Sequence, residues 1–499
     1  MSEAQLFIFF CLLGAAFHTF WEAALKIITI LKSTKQEYIM AQLSQKDSTY
    51  RDFALQGNMF SVVLKVGIPL AIFQVINSLF NLLDGLMAAN ISSVAVSTVT
   101  YLAQILYVVQ ALGVGLAAGS AIKISEAYGR GDYDLVKTQV SSLLALCALI
   151  AVLCSFVLPF SGHILHFFGT PESFIALGTT YFNITLVSSL LSFFNSVYIA
   201  IQRSRGKSTY IMILNMSVVT VKLTLTAIFI YGLKGDINML AWATLIAQGI
   251  MFVVAIVHLS QKNNIFSFSF SAVSFKRKII GPMLHISFPV IIERMAFQFG
   301  KTIINSMCKE YGETTVGALS ISNNLNGLAS SAQGGFQDGG SALIGQNRGG
   351  GKLDRTLQAF YRLLIINATI GFIIWGITNL FIGPISYLFA SSQEGFDADF
   401  QRKLILVFRY DSFGSCVPLG VHSAIMALLF GFGATKITLL INFCRVFVFR
   451  IPVLWYLQHF TNLGSESTGI VMAVSNVLTM IMSSIIAFFV IRKIKRKAL

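Results

Sequence analysis

Ionisable side chains set in apolar sequence are the groups of this chain best placed to do chemistry. Its long apolar stretches hold the carboxylates Asp84, Glu293 and Asp411 and the cations Lys65, Lys222, Arg294, Lys301, Arg409, Arg445 and Arg450. An ionisable group facing lipid costs roughly 2.5–3.5 kcal/mol or more, so each is expected to face a cavity or a partner. Lys65 is the exception, close enough to a span end to snorkel to the surface. Asn77, Asn81 and Asp84 follow one another at spacings of four and three, one helical face with Gln74 behind it. Their oxygens suit a Na⁺ ion, or a carboxyl that titrates when desolvated; a salt-bridged packing charge is the alternative. Farther along, Glu293 and Arg294 sit one turn after Pro289, with Gln298 and Lys301 on the turns beyond. Arg409 and Asp411 fall near the end of one later span, Arg445 and Arg450 within the next. Glu293 and Asp411 are expected to neutralise two of the arginines. The surplus positive charge suits an anionic or zwitterionic cargo held by guanidinium forks, with purely structural ion pairs as the rival. No Ser–His–Asp or HExxH arrangement and no CxxC occurs, so neither catalysis nor a metal or disulfide framework has a candidate.

The elements that must position these groups are membrane helices. Of 499 residues, 55% are hydrophobic and only 11% charged, with a mean hydropathy of +0.74; soluble proteins carry about a quarter charged residues. Hydropathy places spans near 58–88, 94–122, 138–160, 174–201, 208–232, 238–260, 279–308, 314–345, 357–388, 404–430, 434–459 and 468–491. The predicted class is an all-α polytopic membrane protein of two six-helix bundles. With the first span running outward, most loop Lys and Arg fall inside, and only Lys234, Lys309, Arg402 and Lys403 fall outside. That satisfies the positive-inside rule. The net charge of +15 therefore reflects topology, not a nucleic-acid partner. Residues 1–32 read as an additional, transmembrane helix despite His18, Glu22 and Lys26, with a surface-lying helix as the alternative. A cytoplasmic linker over 33–57, a first lobe over 58–260, a seam over 261–278, a second lobe over 279–491 and a basic tail over 492–499 complete the division.

The two lobes repeat at an offset of 220 residues. GLAAGSAIKISEAYGRGDYD from Gly115 to Asp134 aligns without gaps on GFQDGGSALIGQNRGGGKLD from Gly335 to Asp354, and Pro69 falls on Pro289. Repeated halves in an apolar chain are common in secondary transporters, where one half rocks against the other around a site at mid-membrane. The matched Gly-rich segments, Gly129–Gly131 and Gly349–Gly351, read as flexible joints, and Pro418 and Pro452 as kinks. Gln337 and Asp338 are further cavity candidates.

Several of these segments resemble the multidrug and toxin extrusion (MATE) family. PLAIFQVINSLFNLLDGLMAANISSVAVSTV resembles its first helix, and the repeat segment its second helix and following loop. QRSRGKSTYIMILN, IFIYGL and AWATLIAQG resemble the surroundings of the fifth and sixth helices. FPVIIERMAFQFGKTIINSMCKEYGETTVGALSISNNL is similar to the seventh and eighth helices of the DinF-like branch, and GFGATK and RIPVLWYL fit the eleventh. The resemblance covers about 58–491. It implies a central cavity, export of small organic compounds driven by inward flow of Na⁺ or H⁺ with no other cofactor, a multi-pass place in the bacterial cytoplasmic membrane, and a monomer. It puts the ion-coupling carboxylate at Asp84, with Asn77 and Asn81 alongside. The fifth helix departs from the family pattern: Lys222 stands where an Asn is usual and Thr226 where an Asp is usual. Pairing of Lys222 with Asp84 is the expectation that follows. A flippase of a lipid-linked or polysaccharide precursor in the same superfamily, or an exporter of an anionic metabolite, is the alternative.

Overall fold

The computed structural model describes residues 50–89, 93–167, 170, 172–233, 235–261, 264–392 and 395–498. The expected N-terminal helix and most of the linker after it lie outside the described residues. A short helix over 50–56 leads into α1 (Met59–Ala89), α2 (Ser93–Arg130), α3 (Tyr133–Ser155), the brief α4 (Ser161–Phe167), α5 (Glu172–Ser204), α6 (Ser208–Ala227) and α7 (Ile237–Leu259). The second half holds α8 (Arg277–Cys308), α9 (Glu313–Gly349), α10 (Leu353–Ala390), α11 (Ala398–Gly431), α12 (Thr435–Phe443), α13 (Ile451–Phe460) and α14 (Glu466–Ala498). A hairpin of two-residue strands, Ser391–Ser392 and Gly395–Phe396, joins α10 to α11. Every backbone group at membrane depth must be paired internally, which is why apolar chain of this length folds into helices.

Eleven helices among the described residues are long and apolar enough to cross a bilayer. The expected eighth span, 314–345, is present as α9 and differs from the others in composition. α9 runs for 37 residues, but Gly, Ser, Asn and Gln fill it, and it fails the apolar criterion. It is packed against α11, α1, α10 and α2, away from lipid. Leu149, Val152 and Phe156 on and just beyond α3, Ile373 and Leu380 on α10, and Phe488 and Phe489 on α14 are exposed, as lipid-facing side chains are.

The 220-residue repeat reappears as reciprocal contacts between the halves. α1 packs on α9 and α2 on α8. A Cβ added at Gly115 would meet Ile291, and one at Gly335 would meet Ala71, the same pair 220 residues on. A Cβ at Gly129 would collide with the Gln346 carbonyl, and one at Gly349 with the Glu126 carbonyl. Both glycine pairs thus let backbones touch across the seam. The matched Gly-rich segments are capped helix ends and not loose joints. At the first, the Asp132 amide donates to the Ala127 carbonyl (3.1 Å) and Gly131 to Tyr128 (3.0 Å). At the second, Lys352 donates to Asn347 (2.9 Å) and Gly351 to Arg348 (3.1 Å). Gly131 (φ 80°) and Gly351 (φ 74°) take the left-handed turn this motif needs.

A second device also repeats. α6 ends in a π turn, Ile228–Gly232, and α12 passes into α13 through another, Cys444–Arg450. The Leu233 amide accordingly donates five residues back to Ile228, and Ile451 to Val446. Pro452 follows the second π turn at the start of α13, where its missing N–H costs least.

Candidate functional site

α8, α9, α11, the π turn after α12 and α14 enclose a cavity of about 410 Å³ within the second half. α8 presents two faces. Glu293, Arg294, Phe297, Lys301, Ile304 and Asn305 line the cavity, while Met295, Ala296, Gln298, Phe299 and Thr302 line a separate apolar cavity of about 640 Å³ shared with the first half. Gln298, expected beside the cargo, lines this second, apolar cavity and not the charged one.

Glu293 is buried, and both its oxygens are engaged from α12. The Asn442 side-chain amide donates to one (2.8 Å) and the Thr438 hydroxyl to the other (2.8 Å). Asp411 is fully buried behind the wall. It accepts from Ser415 (2.5 Å), Asn326 (2.8 Å) and Ser322 (3.0 Å). Among the described residues neither Glu293 nor Asp411 makes a direct ion pair with an arginine, but each lies within electrostatic reach of arginine, Glu293 of Arg294 and Asp411 of Arg445 and Arg450. Asp411 reaches them through a relay: Asn476 donates to Ser415 (3.0 Å), while its oxygen accepts from Arg445 (3.1 Å) and Arg450 (3.0 Å). Arg450 also donates to Ser475 (3.0 Å), and Arg445 lies over the Phe297 ring at 5.4 Å. On an α-helix, residues five apart diverge by about 140°. The π turn brings Arg445 and Arg450 onto one face, where one asparagine serves both.

At the cavity floor, Arg294 and Gln337 also border a smaller chamber of about 30 Å³ lined by Arg203, Asp338 and Ser125. Arg203 of α5 and Asp338 of α9 form an ion pair between the halves there. Gln346 reaches across beside it to the Ser204 carbonyl (2.7 Å). Gln337 lines the cavity, as expected, and accepts from Ser423 (3.0 Å).

The other expected positions fare differently. Arg409 is exposed and is not among the cavity-lining residues. Gln74 and Asn77 are half-buried on α1, and Lys222 is half-buried on α6. Thr226 is fully buried, and its hydroxyl has no hydrogen-bond partner among the described residues. The side chains of Asn81 and Asp84 lie outside what is described, so the expected coupling face, its Na⁺ and its pairing with Lys222 are not placed. Sequence reasoning missed Asn326, Ser415, His422, Asn442 and Asn476. The polar run of α9 was the available signal for Asn326; single polar residues in apolar helices gave none for the rest.

The MatE family model matches residues 69–228 and 289–456. Probable multidrug resistance protein YoeA of Bacillus subtilis (strain 168) is 24% identical over 441 residues, covering 86% of this chain and 91% of that protein. Probable multidrug resistance protein NorM of Thermotoga maritima is 23% identical over 414 residues, covering 81% and 86%. A crystal structure of a MATE protein in complex with MaL6 shares the fold with a TM-score of 0.85 at 20% identity, over 89% of this chain and 99% of that one. The two matched segments start at Pro69 and Pro289, the pair related by the internal repeat. Matched in both halves and sharing the fold of solved members, the chain belongs to the MatE family of multi-pass membrane transporters.

Proposed function

We propose that this protein exports small organic compounds, driven by inward flow of H⁺ or Na⁺, through alternating access of its two halves. The observation that carries this reading is the charged cavity of about 410 Å³ within a bundle whose basic end is shut by contacts between the halves. Its volume suits a drug-sized molecule. Basic loops belong on the cytoplasmic side, so the shut end is the cytoplasmic one and the cavity is served from outside in this conformation. Relatives carrying multidrug resistance and multidrug export names support the substrate class.

Glu293 on the cavity wall and Asp411 buried behind it are the coupling candidates of the second half, each ringed by neutral donors that can serve a carboxylate and release a protonated or ion-bound one. Asp84, with Asn77, Asn81 and the departures Lys222 and Thr226, is the candidate set in the first half. Transport in proteoliposomes under separately imposed H⁺ and Na⁺ gradients tests the proposal, using wild type, Asp84→Asn, Lys222→Ala, Glu293→Gln and Asp411→Asn. Uphill movement under one gradient, lost in at least one carboxylate variant, is expected. Equal equilibration under either gradient or none would refute coupling.

A further inference from the structure

We infer that the cargo recognised by this cavity is an organic anion, with a carboxylate or phosphate group received on α8 by Lys301 and Arg294; this rests on the export reading above. The cavity lining carries Arg294, Lys301, Arg445 and Arg450, against Glu293 as its carboxylate. These charges are not equivalent. Glu293 accepts from Thr438 and Asn442 and lies within electrostatic reach of Arg294, so its single negative charge is already offset within the lining. Arg445 and Arg450 are anchored on Asn476 and Ser475. Arg294 and Lys301 make no hydrogen bond or ion pair among the described residues, although Arg294 lies within electrostatic reach of Glu293, and both are exposed on the cavity side. They are seven residues apart, two turns on one face of α8, with the Phe297 ring midway between them. Lys301 also lies within electrostatic reach of Arg450. Two ammonium or guanidinium groups with free donors, backed by two held guanidiniums in a low-dielectric cleft, concentrate anions and repel cations. Phe297, Leu419, Met426 and Met472 supply apolar wall for the organic body.

The test is equilibrium binding to the purified full-length protein in detergent, read by fluorescence polarisation. Fluorescein, an anion, is compared with rhodamine 6G, a cation of similar size. Fluorescein is expected to bind at least about tenfold tighter, and Lys301→Met and Arg294→Gln each to weaken it about tenfold without weakening rhodamine 6G. Lys301→Glu is expected to reverse the preference. Size-exclusion elution matching wild type certifies that each variant is folded. Benzoate and phenyl phosphate serve as competitors: displacement by either supports the inference and names the group. Tighter binding of rhodamine 6G, equal weakening of both dyes, or no displacement by either competitor would overturn it. Binding is measured without transport, so the two readings fail separately. Fluorescein bound through Lys301 but never moved in proteoliposomes would sink export alone, whereas rhodamine 6G transported without fluorescein binding would sink the anion assignment alone.

Discussion

Arg203 of α5 and Asp338 of α9 form an ion pair that ties the first half of the protein to the second beneath the cavity floor. The arginine is 13% and the carboxylate 34% exposed, so the pair is partly shielded from water. Discounted for that exposure it stabilises the closed seam by about 1 kcal/mol, or about fivefold in the open–closed equilibrium. Asp338→Asn is expected to raise labelling of a Ser125→Cys reporter by a membrane-impermeant thiol reagent applied from the cytoplasmic side, in inside-out vesicles, about fivefold, in a background with the native cysteines replaced. The double exchange Arg203→Asp with Asp338→Arg should bring labelling back toward wild type. Unchanged labelling in the single variant would show that the pair does not hold the gate.

Gly129→Ala and Gly349→Ala are expected to damage the protein alike. Each places a methyl group into a backbone carbonyl of the opposite half, Gln346 or Glu126. Overpacking of this kind costs about 1–3 kcal/mol. The closed seam cannot form without a shift of both helices, so the thiol labelling described above should rise and transport should fall. Gly249→Ala is the control, since a Cβ there meets nothing within 4 Å; it should leave both measurements unchanged. Tolerance of alanine at Gly129 and Gly349 would mean the halves are not in this contact when the protein works.

The short helix over residues 50–56 is held by both halves. Arg51 donates to the Gly129 carbonyl (3.2 Å) of the first half. From the second, Lys352 donates to Leu55 (3.1 Å) and Arg355 to Gly57 (2.7 Å), the carbonyls left free where this helix ends. Cations at a helix C-terminus satisfy those groups and complement its dipole. Arg355→Ala is expected to cost about 1–2 kcal/mol and lower the thermal midpoint in detergent, with Arg355→Lys recovering part of it. Identical melting of Arg355→Ala and wild type would remove the helix from the account.

The repeat, the helices and the charged residues of α8 were legible in the sequence because each leaves a local signal: an alignable segment, an apolar run, an ion in apolar context. What a side chain faces was not. Gln298 and Lys301 differ by three residues yet serve different cavities, and hydropathy does not separate two faces that are both partly polar. Arg445 and Arg450 could not be placed together, because an α-helical count separates them and nothing in CRVFVFR announces a π turn. α9 was legible as a span over 314–345, but not its central place: burial inside the bundle frees it from the need to be apolar, and its Gly, Ser, Asn and Gln could not by themselves say which helices they face.

The relay through Asn476 gives the sharpest stability prediction. Its oxygen accepts from both Arg445 and Arg450, and its amide donates to Ser415, which in turn donates to Asp411. Asn476→Leu keeps the volume but withdraws the shared acceptor from two guanidiniums at membrane depth. Removing one partner from a buried charged network costs about 3–5 kcal/mol, enough to abolish a monodisperse peak on size exclusion for a protein of ordinary marginal stability. Asn476→Asp retains the acceptor and adds a negative charge beside two positive ones but gives up the donor to Ser415, so it should remain monodisperse and melt well above Asn476→Leu. Because it also cancels part of the cavity's positive field, fluorescein binding should weaken although the fold is intact. If Asn476→Leu and Asn476→Asp melt alike, the asparagine is packing and the two guanidiniums take their order from elsewhere.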